Sequence, residues 1–191
     1  MYDQVQGDVK FLRQDQILTE RDSLINEAMG SLSLSKDETI LALIHYKWSI
    51  EKLYEKWFDN VEEGKKKCGL IMTDSSRKQV NSLGVESNGN SCLICYDEKT
   101  PETANNFFSL KCGHVFCEGC WIEYLMEKSK HFSAVLQSTC PQQGGTCIVY
   151  ESIFFKYLTD PEAIKRVKKG IIKNYIEGSK EIKYCPNPKC E

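Results

Sequence analysis

No stretch of this 191-residue sequence approaches the run of about 18 apolar residues that a membrane-spanning helix requires. Met1 to Lys10 mix acids with glutamines and lack the apolar centre of a secretory signal, which points to a cytoplasmic or nuclear setting. There is no excess of positive charge. The 25 Lys and Arg stand against 27 Asp and Glu, a formal net charge of −2, too little basic surface to suit a phosphate backbone. Membrane and nucleic acid are therefore both disfavoured as partners. Internal repeats and low-complexity tracts are absent as well. At 41% hydrophobic and 27% charged residues, the composition suits one substantial globular domain or two small ones.

Cysteine, by contrast, is plentiful: the sequence holds 10. In a reducing compartment disulfides are rare, and clustered cysteines accompanied by histidine mean metal. In order, the donors are Cys92, Cys95, Cys112, His114, Cys117, Cys120, Cys140 and Cys147, spaced C-x2-C-x16-C-x-H-x2-C-x2-C-x19-C-x6-C. Zinc takes four nitrogen or sulfur ligands in a tetrahedron, and a C-x2-C knuckle supplies two from one tight turn. Eight donors make two closed sites with no open position for a catalytic water. Closed sites are structural.

Around this module the chain divides by pattern. Residues 1–17 show no clear period and read as a flexible lead. Residues 18–60 read as a bundle of three short amphipathic helices, entered at capping boxes Thr19/Asp22 and Ser35/Glu38 and at a Ser49 cap. Residues 61–90 are polar and read as a linker, in which Cys68 is an inert thiol. The cysteine-rich module spans 91–150. A helical connector, 151–182, carries one apolar stripe of Ile164, Val167, Ile171, Tyr175 and Ile176 from Pro161 to near Gly178. Its opposite face, with Lys165, Arg166, Lys168 and Lys169, reads as solvated.

The histidine in fourth position, between three cysteines and four, is the RING order. CLICYDE at 92–98, CGHVFCEGCWIEYL at 112–125, CPQQGGTCIV at 140–149 and KYCPNPKC at 183–190 resemble RBR ubiquitin ligases (RING, in-between-RING, RING), within them the Ariadne type. LALIHYKWSIEKLYEKWFDN at 41–60 resembles the ubiquitin-associated-like domain that precedes the first RING in that type. The fold class implied is a small α+β, zinc-stabilised RING cross-brace, preceded by a ubiquitin-associated-like three-helix bundle and followed by a helix.

The resemblance implies interleaved pairing. Cys92, Cys95, Cys117 and Cys120 would share one Zn2+, and Cys112, His114, Cys140 and Cys147 the other. It also implies a function. The first RING of such a ligase, a transferase of protein ubiquitination, recruits a ubiquitin-charged conjugating enzyme through positions matching Ile94, Tyr124 and Pro141. Ubiquitin then moves to a catalytic cysteine of a second RING that these residues do not include. Cys185 and Cys190, within 183–191, match the opening ligand pair of an in-between-RING finger, half of a further zinc site. No catalytic residue is expected in the chain itself. NEDD8-modified cullin ligases are a partner the helical segment suggests by the same resemblance. The alternative is a non-catalytic zinc-binding adaptor formed by these 191 residues.

Overall fold

The computed structural model describes residues 11–71, 90–131, 135–142 and 145–185. Helix α1 spans Gln14–Leu32, α2 Lys36–His45, α3 Ile50–Asp59 and α4 Val61–Lys67. A two-stranded antiparallel hairpin follows, β1 Phe107–Ser109 against β2 Val115–Cys117, in register Phe108 opposite Phe116. Then come α5 Glu118–Ser129, α6 Glu151–Tyr157 and α7 Pro161–Gly178.

The helical boundaries differ from those the sequence suggests. Helix α1 begins inside the expected lead, where the Gln16 side chain accepts from the Arg13 backbone N–H at 2.8 Å. The Thr19/Asp22 box does not form; the Thr19 hydroxyl instead donates to the Asp15 carbonyl within the helix. Gly30 does not stop the helix, which ends at Ser33 in the left-handed region (φ 53°). Ser35 and Glu38 do cap α2 reciprocally, and Ser49 accepts from the Lys52 N–H at the start of α3. Residues 61–67, expected within the linker, form α4. Its Asn60 side chain accepts from Glu63, and three lysines end it, matching the helix dipole. Cys68 is buried at its end.

Two hydrophobic cores result, and α7 belongs to both. One is the cysteine module, where Trp121, Phe116, Leu125, Val149 and Phe154 are buried together with Ala163, Val167 and Ile171 of α7. The other is the helical layer, where Ile25, Leu43, Leu53 and Trp57 pack with Ile172, Tyr175 and Ile176 of α7. The layer is therefore not a free-standing three-helix bundle, since its core is completed by the helix that follows the module.

Trp48 fastens this junction. It sits in a tight α2–α3 turn with φ 57°, is buried, and donates from its indole N–H to Asn174 Oδ1 at 2.9 Å. Its ring meets Tyr175 edge-on at 5.0 Å. Gly178 is required beside it: a Cβ there would lie 2.5 Å from Trp48 Cδ1. Across the same seam run the buried pair Arg21–Glu151, Ser152 Oγ donating to Asp37 at 2.5 Å, and Lys111–Glu38 at 2.5 Å.

Candidate metal centres

The eight donors come to their places through short, local structure. The first knuckle turns on the Tyr96 N–H donating to the Cys92 carbonyl at 3.0 Å, which leaves Tyr96 at φ 63°. Cys112 and His114 flank Gly113, whose φ of 80° turns the chain into β2. Cys117 ends β2 and caps α5, and Cys120 lies one turn along that helix. Cys140 and Cys147 face each other: the Cys140 N–H donates to the Cys147 carbonyl at 2.7 Å, and the Val149 N–H to the Ser138 carbonyl at 2.8 Å. That pairing lets a C-x6-C spacing return to one point.

Two groups form. The Sγ atoms of Cys92, Cys95, Cys117 and Cys120 lie within 4.8 Å of one another, as do the donor atoms of Cys112, His114 and Cys140. Cys147 lies outside that trio's limit but hydrogen-bonds through its thiol to Cys112. Tetrahedral zinc with Zn–S near 2.3 Å and Zn–N near 2.0 Å sets ligand edges of about 3.8 Å between sulfurs and about 3.6 Å between sulfur and nitrogen. Cys95 and Cys117 sulfurs are 3.6 Å apart, and Cys140 Sγ is 3.5 Å from His114 Nδ1. Donor chemistry and spacing therefore fit zinc at the first group and in the Cys112–His114–Cys140 trio, with Cys147 standing further off.

Within each group the thiols hold charge unevenly, with Cys92 and Cys112 lowered and Cys95, Cys120, Cys140 and Cys147 raised. Hydrogen bonds from the Cys140 and Cys147 thiols drive the Cys112 thiol strongly down, while the same bonds and burial drive those two up. At the first group burial opposes ionisation, yet backbone N–H groups of Cys117, Cys95 and Ile94 bring Cys92 down to about 7. Thiols so crowded compete for a few negative charges that one divalent ion would stabilise together.

The remaining sequence-derived residues separate. Ile94, between two donors of the first knuckle, is 46% exposed. Pro141 is half-buried beside Cys140. Tyr124 is half-buried and tied: its hydroxyl donates to the Thr139 carbonyl at 2.5 Å, and its ring meets Trp121 edge-on. Trp121 is wholly buried, stacked on Phe108 and donating to its carbonyl at 3.2 Å. Cys185 is exposed, and Cys190 lies outside the described residues. Sequence reasoning missed Asp97, whose carboxylate accepts from the Cys95 thiol at 3.2 Å, and Lys111, whose ammonium reaches Glu38 and the Tyr150 ring. Asp97 carried a signal, as an acid two residues past a knuckle; the partners of Lys111 are too distant in sequence to show one.

The arrangement defines a RING-class zinc finger built into a helical scaffold. Residues 91–131 match the family model of the C3HC4-type zinc finger, the RING finger. The chain is homologous over almost all its length to Ariadne-type E3 ubiquitin-protein ligases. It is 30% identical over 187 residues to the probable E3 ubiquitin-protein ligase rbrA of Dictyostelium discoideum, covering 97% of this chain and 34% of that protein. It is 29% identical over 189 residues to E3 ubiquitin-protein ligase ariadne-1 of Drosophila melanogaster, covering 98% and 37%. The probable E3 ubiquitin-protein ligase ARI9 of Arabidopsis thaliana is 27% identical over 186 residues, covering 94% and 33%. The chain thus spans about a third of the length of the curated relatives it matches.

Proposed function

We propose that these residues recruit the ubiquitin-conjugating enzyme in an RBR-type E3 ubiquitin-protein ligase of the cytoplasm or nucleus. The finger receives the ubiquitin-charged enzyme, and transfer proceeds through a catalytic cysteine of a second RING that lies outside this sequence. The carrying observation is Ile94. Ile94 stands 46% exposed while Leu93, between the same two donors, is buried, so the first loop holds one apolar side chain outward where a partner could contact it. Tyr124 and Pro141 support it from α5 and the second loop. Zinc, when bound, supplies two structural closures and no reactive position.

Helices α1 to α3, in the order of a ubiquitin-associated-like domain, support the further reading that the layer's outer face takes a ubiquitin-like protein, such as NEDD8 on a cullin ligase. The exposed ring of Phe58 (59%) gives it an apolar contact.

A pull-down with charged conjugating enzymes tests the main reading. Ile94→Asp should abolish capture and Ile94→Ala weaken it, while both variants keep wild-type zinc content. Wild-type capture by both would sink it.

A further inference from the structure

The two metal centres differ in what surrounds them. Around the first, the backbone bonds of Cys92 and Leu93 run to Asp97 and Val115, within the finger itself. Around the second, each stretch that carries a ligand runs on one side into the helical layer. Lys111, next to Cys112, pairs with Glu38 of α2. Ile148, next to Cys147, and Tyr150 pack against the layer's core. Glu151 and Ser152 then hold Arg21 of α1 and Asp37 of α2.

From this placement we infer that the helical layer is a clamp on the second metal centre. Ion retention by Cys112, His114, Cys140 and Cys147 is coupled to docking of α1 and α2, and retention by the first centre is not. The inference rests on the reading of both clusters as zinc sites. The arm carrying Cys140 and Cys147 is a narrow hairpin, held on the finger side by Tyr124 on the Thr139 carbonyl and by buried Val149, and on the other side by Ile148, Tyr150 and Glu151 against the layer. Freed from the layer, that arm gains conformations in which its two sulfurs no longer converge. Coupling of this kind is reciprocal: a partner that pulls on α1 or α2 is felt at the second ion, and loss of that ion loosens the layer. The class of regulator implied is one that binds the helical layer rather than the finger.

The test uses the full chain loaded with 113Cd, whose all-sulfur and sulfur–nitrogen sites give separate resonances, and the zinc-loaded chain challenged with a chromogenic chelator. Arg21→Met cuts the most buried tie, and Asp37→Ala cuts an exposed one, the bonds to Ser152, that threatens folding less. Partners bonded directly to a metal ligand change affinity about 10–100-fold, and Arg21 and Asp37 act one step further out, so the low end of that range applies. Both variants should lose the ion of the sulfur–nitrogen site about 10-fold sooner, with the all-sulfur site unchanged. Equal acceleration at both sites, or at neither, would overturn the clamp while leaving the zinc reading intact. Uptake of fewer than two ions by the wild type would overturn both.

Discussion

Arg21 is the residue whose replacement should reveal most about how this fold is held. It lies on the apolar face of α1 between Ile17 and Ile25, 2% exposed, with its guanidinium on Glu151 of α6 and 5.2 Å from the centre of the Trp48 ring. Glu151 is itself only 12% exposed. Replacing one member of such a pair leaves an uncompensated buried charge, at a cost of about 3–5 kcal/mol. Arg21→Met should therefore remove a large share of the stability of a chain this size, and Glu151→Gln a similar amount. The double replacement Arg21→Met/Glu151→Leu should be far milder than the sum, because two apolar side chains of similar volume need no partner. The effect of pH has a definite sign. Burial holds the Glu151 carboxyl above the usual range, against the pull of Arg21. A carboxyl raised on folding contributes fully below its unfolded pKa, and the contribution is lost as pH rises through the folded value. Without Arg21 the folded value climbs further. The deficit of Arg21→Met should then be largest near neutrality and shrink as pH falls toward the ordinary glutamate range of about 4 to 5. Urea unfolding of the four proteins, zinc-saturated and repeated across pH, measures all of this. A deficit under about 1 kcal/mol for Arg21→Met, or one independent of pH, would refute the buried-pair account.

Other expectations are simpler to check. Stripping metal with a strong chelator should unfold the finger, since binding free energy on the order of 10 kcal/mol per structural zinc is also folding free energy. Far-ultraviolet dichroism should keep part of its helical signal while the melting transition moves down, and an unchanged melt would contradict it. Trp121→Ala should cost about 3–5 kcal/mol by emptying the site between Phe108 and Phe116, read by thermal unfolding. Gly178→Ala should cost about 1–3 kcal/mol, because the new methyl meets a Trp48 ring already fixed by Asn174 and Tyr175; a neutral result would mean the ring can move. Gly145→Ala places a Cβ 2.8 Å from the Cys140 and Gln142 carbonyl oxygens, so backbone between the second-centre cysteines must shift. Zinc titration should show that centre weakened and the first unaffected.

The grouping of Cys92, Cys95, Cys117 and Cys120 and of Cys112, His114 and Cys140, and the stripe of α7, were legible because each rests on local chemistry. Knuckles announce themselves by spacing, and Val167, Ile171 and Tyr175 recur at helical intervals along a helix opened by Asp160 and Pro161. The start of α1 was not legible, for a reason the structure makes plain. Its buried positions are Ile17, Arg21, Ile25, Ala28 and Leu32, so a cation interrupts the apolar period where the helix needs it most visible. The short helix α4, VEEGKKK, has no apolar stripe at all. Its buried residue is Gly64, whose missing side chain admits the Trp57 ring, a Cβ there lying 3.0 Å from Trp57 Cε3.

Gly64 answers to Trp57 nearby, whereas Arg21 and Trp48 depend on partners far along the chain. Arg21 makes sense on an apolar face only once Glu151, 130 residues on, is brought beside it. Trp48, in its strained turn, makes sense only with Asn174 and Gly178. These residues all sit on the seam between the helical layer and the finger, so the polar and strained positions that defeat local pattern reading are the ones that join the two. A free-standing bundle would have no use for a buried arginine at position 21 and would be more stable with leucine there. The charge is matched by Glu151 of α6, so the seam explains a residue that neither half explains alone.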